Sequence, residues 1–460
     1  MHILSQILFV AALGVAAYFI SRRVLLIKST IQLGKAEDRT DNPSERWKTM
    51  LLIALGQKKM FTRPIVGFMH FIIYAGFIII NIEVLEIMID GIFGTHRIFL
   101  EPLGKGFYGF LINCFEILAF GVLAVCVVFL LRRNVLNVQR FQESKHREMK
   151  AAPRNDANII LIVEILLMWA FLSMNAVDTL LQERTIGHYG EAVTGSFWVS
   201  QFLKPLFSSF SENTLVAYER VAWWFHILGI MAFAAYVTYS KHLHIFLAFP
   251  NTYFSNLNAK GEMPNMPTVT KEVKIMLGLE ADSSLPVGAA VGTEGQGGVV
   301  PDRFGAKDIK DLSWKNLMDA YSCTECGRCT SACPANMTGK LLSPRKIMMD
   351  TRDRLEDIQK GWLATDKKTP IADFDDGKTL LGDYISEQEI LACTTCNACV
   401  QECPINISPL DIILQLRRYK VMEEAQAPAS WNGMFSNLEN NMAPWKFSPS
   451  DRFNWVEELK

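Results

Sequence analysis

Five apolar stretches dominate the first half of this chain, and they limit its fold more than any other feature. They run at about 3–27, 64–90, 106–131, 157–180 and 217–248. Each is long enough to cross a bilayer as a helix of about 20 residues. In hydrocarbon every backbone polar group must be satisfied within its own segment, so these stretches read as helices. The expectation is an all-α membrane bundle of five transmembrane helices over 1–250. The first stretch has no basic leading region, and Arg22 and Arg23 follow its apolar run, which suits a retained helix rather than a cleaved signal. The stretches 22–63 and 132–154 are crowded with Lys and Arg, whereas 91–105 and 181–216 are poor in basic residues and mixed in sign. Basic loops stay on the cytoplasmic side. The N-terminus is therefore expected outside, and everything after the fifth segment in the cytoplasm, as in a multi-pass protein of the cytoplasmic (inner) membrane.

The second half carries a different signal. It holds Cys323-Thr-Glu-Cys326-Gly-Arg-Cys329-Thr-Ser-Ala-Cys333-Pro334 and Cys393-Thr-Thr-Cys396-Asn-Ala-Cys399-Val-Gln-Glu-Cys403-Pro404. Both read C-x2-C-x2-C-x3-C-P, the spacing that holds two 4Fe–4S clusters with a crossed fourth ligand. Three thiolates on a tight loop reach three corners of one cube, and the cysteine before proline turns to the other cube. Cys323, Cys326, Cys329 and Cys403 are thus assigned to one cluster, and Cys393, Cys396, Cys399 and Cys333 to the other. Zinc ribbons are the competing reading, but they use two plus two ligands without crossing. The remaining cysteines, Cys114 and Cys126, lie in an apolar segment and read as core. No cysteine is left for an extracellular disulfide framework. A formal net charge of −1 gives no argument for nucleic-acid binding.

The glycine-rich run from Pro286 to Pro301 reads as part of a linker over 251–302. A mainly α-helical two-cluster domain is expected over 303–424, with helices at about 344–360 and 408–422. The tail 425–460 reads as an extended docking arm. It concentrates Trp431, Met434, Phe435, Trp445, Phe447, Phe453 and Trp455, an aromatic density typical of interface cores.

Four histidines fall in the second and fifth apolar segments: His70, His226, His242 and His244. His226 and His244 are 18 residues apart. On a continuous helix that is five turns, one shared face and about 27 Å. His242 would lie roughly 160° around from that face, as an interfacial residue beside Lys241. His70 and His244 each lie about 8–10 Å below the inner surface. A haem b held by His70 and His244 is the natural use of two facing imidazoles in lipid. His226 is expected near the outer surface, where a second haem would need a partner such as His96. Acidic groups in the apolar half are Glu83, Glu86, Asp90, Glu116, Glu164 and Asp178. Ionisable groups in a membrane default to functional hypotheses. Glu83, Glu86 and His96 are the candidate quinone or proton site, whereas Asp90 and Asp178 read as helix ends in headgroup water.

The segment His226-Ile-Leu-Gly-Ile-Met…Tyr-Ser-Lys-His-Leu-His244-Ile-Phe resembles the last helix of the gamma (cytochrome b) subunit of respiratory nitrate reductases. Gly67-Phe-Met-His70-Phe-Ile-Ile-Tyr-Ala-Gly76 resembles that family's second helix, whose outer histidine position falls here on Ile80. The stretches Phe304-Gly-Ala-Lys-Asp-Ile, Cys323 to Pro334, Thr338-Gly-Lys-Leu-Leu-Ser-Pro344, Cys393 to Pro404 and Leu416-Arg-Arg418 resemble heterodisulfide-reductase-like iron–sulfur proteins. The resemblances imply haem ligation in the bundle and a cluster relay beside it. The second family's catalytic half carries cysteine-rich CCG repeats, which are expected here on a soluble partner subunit. The whole reads as a membrane electron-transfer subunit between quinone, haem b, two 4Fe–4S clusters and that partner. A self-sufficient membrane reductase and a non-redox scaffold or sensor with structural clusters are the alternatives.

Overall fold

The computed structural model describes residues 3–136, 138–142, 146, 148–190, 193–195, 197–279 and 303–459. Among the described residues, five helices are long and apolar enough to cross a membrane: α1 (Ile3–Ile31), α2 (Pro64–Phe93), α3 (Lys105–Asn134), α4 (Ala151–Glu183) and α5 (Glu212–Val237). Consecutive helices pack side by side from α2 to α5, and α1 touches both α2 and α5, so the bundle closes into a ring. Small residues set the spacing, as expected where helices gain little from leaving lipid. A Cβ on Gly91 of α2 would come within 2.7 Å of the Phe9 ring of α1. Phe9 is buried and stacks 5.7 Å from Trp223 of α5, so three helices meet at one ring. Large apolar side chains such as Leu8, Phe68, Ile117 and Val221 stay exposed around the outside, the composition of a lipid-facing surface.

At about 1.5 Å per residue, α1 is about 43 Å long, more than a hydrocarbon core of about 30 Å requires. Its excess becomes part of the second half of the molecule. Ile27 shares a core with Leu317, Ile347, Leu355 and Ile413, and Thr30 Oγ1 meets Tyr321 Oη at 3.1 Å. Arg23 bonds Gln359 and Glu356. The loop after α1 is zipped to the same region, with Lys35 N donating to Leu312 O at 2.7 Å and Trp314 N to Lys35 O at 3.1 Å. The cysteine domain therefore sits on the side of the bundle where the basic loops emerge.

That domain is helical, and among the described residues there is no strand. Its main helices are α7 (Trp314–Ser322), α8 (Pro344–Leu363) and α9 (Pro409–Arg418), each started by a serine cap at Ser313, Ser343 or Ser408. Proline at the first turn of α8 and α9 fixes their starts. The tail differs from a fully extended arm, because 429–441 forms helix α10 (Ala429–Asn441).

Two sequence boundaries move. The fifth apolar segment is not one helix to 248. α5 ends at Val237, a turn follows, and a separate helix α6 (His244–Tyr253) begins. Hydroxyls end the span: Thr238 Oγ1 bonds Ala235 O, and Ser240 Oγ accepts from His242 N. The linker also starts later than 251. Asn251 donates to Ile405 O at 2.9 Å and accepts from Lys315 Nζ at 3.0 Å. The glycine-rich run lies within 280–302, outside the described residues.

Candidate functional site

The two cysteine runs fold as copies of one loop. In the first, Glu325 and Gly327 have positive φ (55° and 71°); in the second, Thr395 and Asn397 do (56° and 62°). Asparagine tolerates this left-handed region, whereas a β-branched threonine rarely enters it. These turns aim backbone N–H groups at sulfur. Thr395 N donates to Cys393 Sγ at 3.4 Å, and Ile407 N to Cys403 Sγ at 3.3 Å. Hydrogen bonds to cluster sulfurs help to set reduction potential.

The structure brings the eight cysteines into two groups. Cys323, Cys326, Cys329 and Cys403 line one pocket. Cys333, Cys393, Cys396 and Cys399 line another. Each group takes three thiols from one run and the proline-preceding fourth from the other. Burial pushes the Cys323 thiol up to about 11 and the Cys399 and Cys403 thiols up to about 12, with neighbouring thiols adding to the rise at the last two. Holding Cys323, Cys399 and Cys403 as thiolates there needs a cationic centre, which an iron–sulfur cube would supply. Among the described residues no three His, Cys, Asp or Glu side chains converge as a single metal ion requires. The sites adjoin, since Cys329 packs with Cys399 around Leu410 and Leu414.

The first site is clamped onto the bundle. Arg328 donates to Lys59 O at 3.0 Å, and Lys59 Nζ donates to Val400 O and Cys403 O at 3.3 and 3.1 Å. Arg345 is fully buried and binds Arg140 O and the Glu148 carboxylate. A Cβ on Gly327 would fall 2.6 Å from the Arg345 guanidinium. Glu325 bonds Lys241 and Arg352, each at 2.5 Å. Burial works to raise the Glu325 carboxyl, but Arg352 and Lys241 together hold it down to about 2.

Directly at this clamp lie three imidazoles. His244 Nδ1 bonds Lys241 O at 3.1 Å. The His242 ring packs edge-on against His244 at 5.5 Å. Burial first, then His244 and His70, push His242 down to about 3. His242 thus belongs to the group, not to an interfacial position facing away, because α5 has ended and the chain has turned. His70 Nδ1 is buried without a hydrogen-bond partner. All three residues are partly exposed. The His244 ring is thus anchored to the backbone, and the His70 nitrogen is left without a partner.

His226 is elsewhere. It is buried 14 residues into α5, about 21 Å along that helix from its first residue. Its Nδ1 bonds Leu167 O at 3.0 Å, and Phe171 packs 6.0 Å away. His96 is not brought to it. His96 sits against His188 and Tyr189 at 5.1 and 5.4 Å, and its Nε2 is 3.8 Å from Asp178 Oδ1.

The end of the bundle away from the cysteine domain gathers carboxylates around Arg97. Arg97 donates to Asp178 at 2.9 Å, to Tyr108 at 3.1 Å and, through its backbone N–H, to Asp90 at 2.7 Å. Asp90 and Asp178 are 6% and 2% exposed. They are interior partners of Arg97, not helix ends in headgroup water, and the arginine comes from a loop whose fold hydropathy does not reveal. Glu86 accepts from Tyr108 Oη and Phe99 N at 2.8 and 2.9 Å. Glu83 Oε2 and His96 Nε2 are buried without hydrogen-bond partners.

Comparison with known proteins agrees with the cysteine geometry. The 4Fe-4S dicluster domain family matches residues 322–407. A probable iron-sulfur-binding oxidoreductase of Bacillus subtilis, FadF, is 27% identical over 96% of this chain and 60% of its own length. The EtfAB:quinone oxidoreductase of Syntrophomonas wolfei is 26% identical over 93% of this chain and 56% of its own length. One subunit of the ferredoxin:CoB-CoM heterodisulfide reductase of Methanosarcina mazei is 29% identical over 24% of this chain and 52% of its own length. The chain thus spans less than two thirds of each of these relatives. No solved structure is significantly similar to it. The chain carries a two-cluster 4Fe–4S domain after a set of membrane-type helices, and its relatives are iron–sulfur oxidoreductases.

Proposed function

We propose that this chain is the membrane electron-transfer subunit of a quinone-linked oxidoreductase, set in the cytoplasmic (inner) membrane with its basic loops and cysteine domain on the cytoplasmic side. The observation that carries the reading is the clamp: the first cysteine site is fastened to the turn just before α2, the helix of His70, and to the turn that carries Lys241 and His242 into His244. Bound 4Fe–4S clusters and haem b supply single-electron chemistry, while the protein sets geometry and potential. His70 and His244 would hold the haem, with His242 beside them. His226, bonded to Leu167 O, is the remaining imidazole for a second haem. The eight cysteines would hold the clusters in the crossed sets given above.

Glu83, Glu86 and His96 form the candidate quinone or proton site. Glu83 and His96 keep free polar atoms there, and the name of the S. wolfei relative supports quinone as the membrane-side substrate. The partner is a soluble subunit bearing the CCG-type catalytic half, docking on the cysteine domain (303–424) and the arm (425–460). Exposed Trp445, Phe447, Phe453 and Trp455 support that surface, and Trp431 reaches the second site through Arg417, 5.8 Å away.

The test is the chain purified in mild detergent, with iron and haem counted and the spectrum recorded on adding a quinol. The expected result is iron for two clusters, a haem b band that quinol reduces, and loss of that band in His70→Ala and His244→Ala. Iron without haem, and no response to quinol, would refute the reading.

A further inference from the structure

We propose that Lys241 and Glu325 are positioning residues that lock the His244 ring to the first cysteine loop, so that each end responds to changes at the other. The haem side of this inference rests on the function proposed above. The link is built from both side chains and both backbones. At one end, Lys241 O accepts from His244 Nδ1 at 3.1 Å; a carbonyl can only accept, so this bond fixes the ring's tautomer as well as its direction. At the other end, Glu325 lies between Cys323 and Cys326, and its backbone N–H bonds the Cys323 sulfur. The side chains close the gap, Lys241 Nζ to Glu325 Oε2 at 2.5 Å. Lys241 and Glu325 are 8% and 5% exposed.

Each partner is held independently. Lys241 Nζ also donates to Pro153 O at 2.5 Å, and its backbone N–H donates to Asp156, which accepts from Tyr236 at 2.6 Å. Glu325 is gripped from its far side by Arg352 at 2.5 Å. The pair therefore joins two braced elements rather than two loose side chains. The second cysteine loop supplies a built-in control. Thr395 occupies the position equivalent to Glu325, makes the same N–H to sulfur bond, and turns its hydroxyl to the neighbouring Thr394 O at 2.7 Å. The shared loop geometry does not need a bridge; only the loop facing the histidines has one.

The experiment uses the full chain carrying Lys241→Met, Glu325→Gln or the conservative Lys241→Arg. Paramagnetic resonance reads the clusters, optical spectroscopy reads the histidine-bound haem, and hydrogen exchange reads the segments 240–246 and 323–327 without reference to any cofactor. Lys241→Met should shift the signal of the cluster held by Cys323, Cys326, Cys329 and Cys403, and leave the other cluster's signal in place. Glu325→Gln should shift the haem band and speed exchange across 240–246. Lys241→Arg should restore wild-type signals. Changes confined to the mutated end, or a shift of both clusters alike, would overturn the proposal. A wild-type chain without haem would sink the haem assignment alone, and reciprocal exchange at the two segments would still decide this one.

Discussion

The two cysteine loops share spacing, backbone turns and a crossed fourth ligand, yet they face different worlds. The first carries Glu325 and Arg328 at the positions where the second carries Thr395 and Ala398. Those two charges fasten the first loop to Lys241 and to Lys59 of the bundle, while Cys396 of the second loop is exposed. Two loops of one backbone geometry thus come to sit differently, the first and inner one fastened against the bundle and the second and outer one open to solvent at Cys396, through residues outside the cysteine sets.

The comparison can be broken most severely at the cysteines. Cys403→Ala should abolish the inner cluster's resonance and Cys333→Ala the outer one's, although each residue lies in the other's run. Loss of the signal from the run in which the mutation lies would contradict the crossed arrangement. Next in size is Arg345→Met, which strands the buried Glu148 carboxylate. Breaking a buried pair costs about 3–5 kcal/mol, and denaturant unfolding of the cysteine domain should show a loss of that order. Arg328→Ala removes a charged hydrogen bond to Lys59 O, worth about 1.5–3 kcal/mol, and should loosen the domain from the bundle in limited proteolysis. Ala398→Arg at the equivalent outer position should not. The smallest effect is conformational. Thr395→Gly relieves a β-branched residue of positive φ and should leave stability within about 1 kcal/mol or slightly raised. Gly327→Ala, against Arg345, should lower it by more.

The five spans and the cysteine sets are legible because their signals are local: continuous hydropathy and a fixed ligand spacing. The histidine group is only half legible. His70 and His244 share a depth, but depths counted along one helix through 248 ignore the break after Val237. The residues after that break, Leu243, Ile245, Phe246 and Leu247, are as apolar as those before it. What stops the helix is hydroxyl bonding at Thr238 and Ser240, and Lys241 is held there by Glu325, 84 residues away in sequence. Hydropathy reports neither. His242 lies away from its expected place for the same reason, since that expectation depends on where the helix ends. Asp90 and Asp178 look like solvated termini because their partner, Arg97, sits in a short loop whose path depends on the folded bundle.

The inner and outer assignment of the clusters is the claim on which the account turns. Power saturation of the two reduced-cluster signals, with a soluble dysprosium chelate added to the detergent-solubilised chain, measures it directly. The chelate should speed relaxation of the signal lost in Cys333→Ala and scarcely affect the signal lost in Cys403→Ala. Equal acceleration of both signals, or stronger acceleration of the Cys403-dependent one, would contradict it.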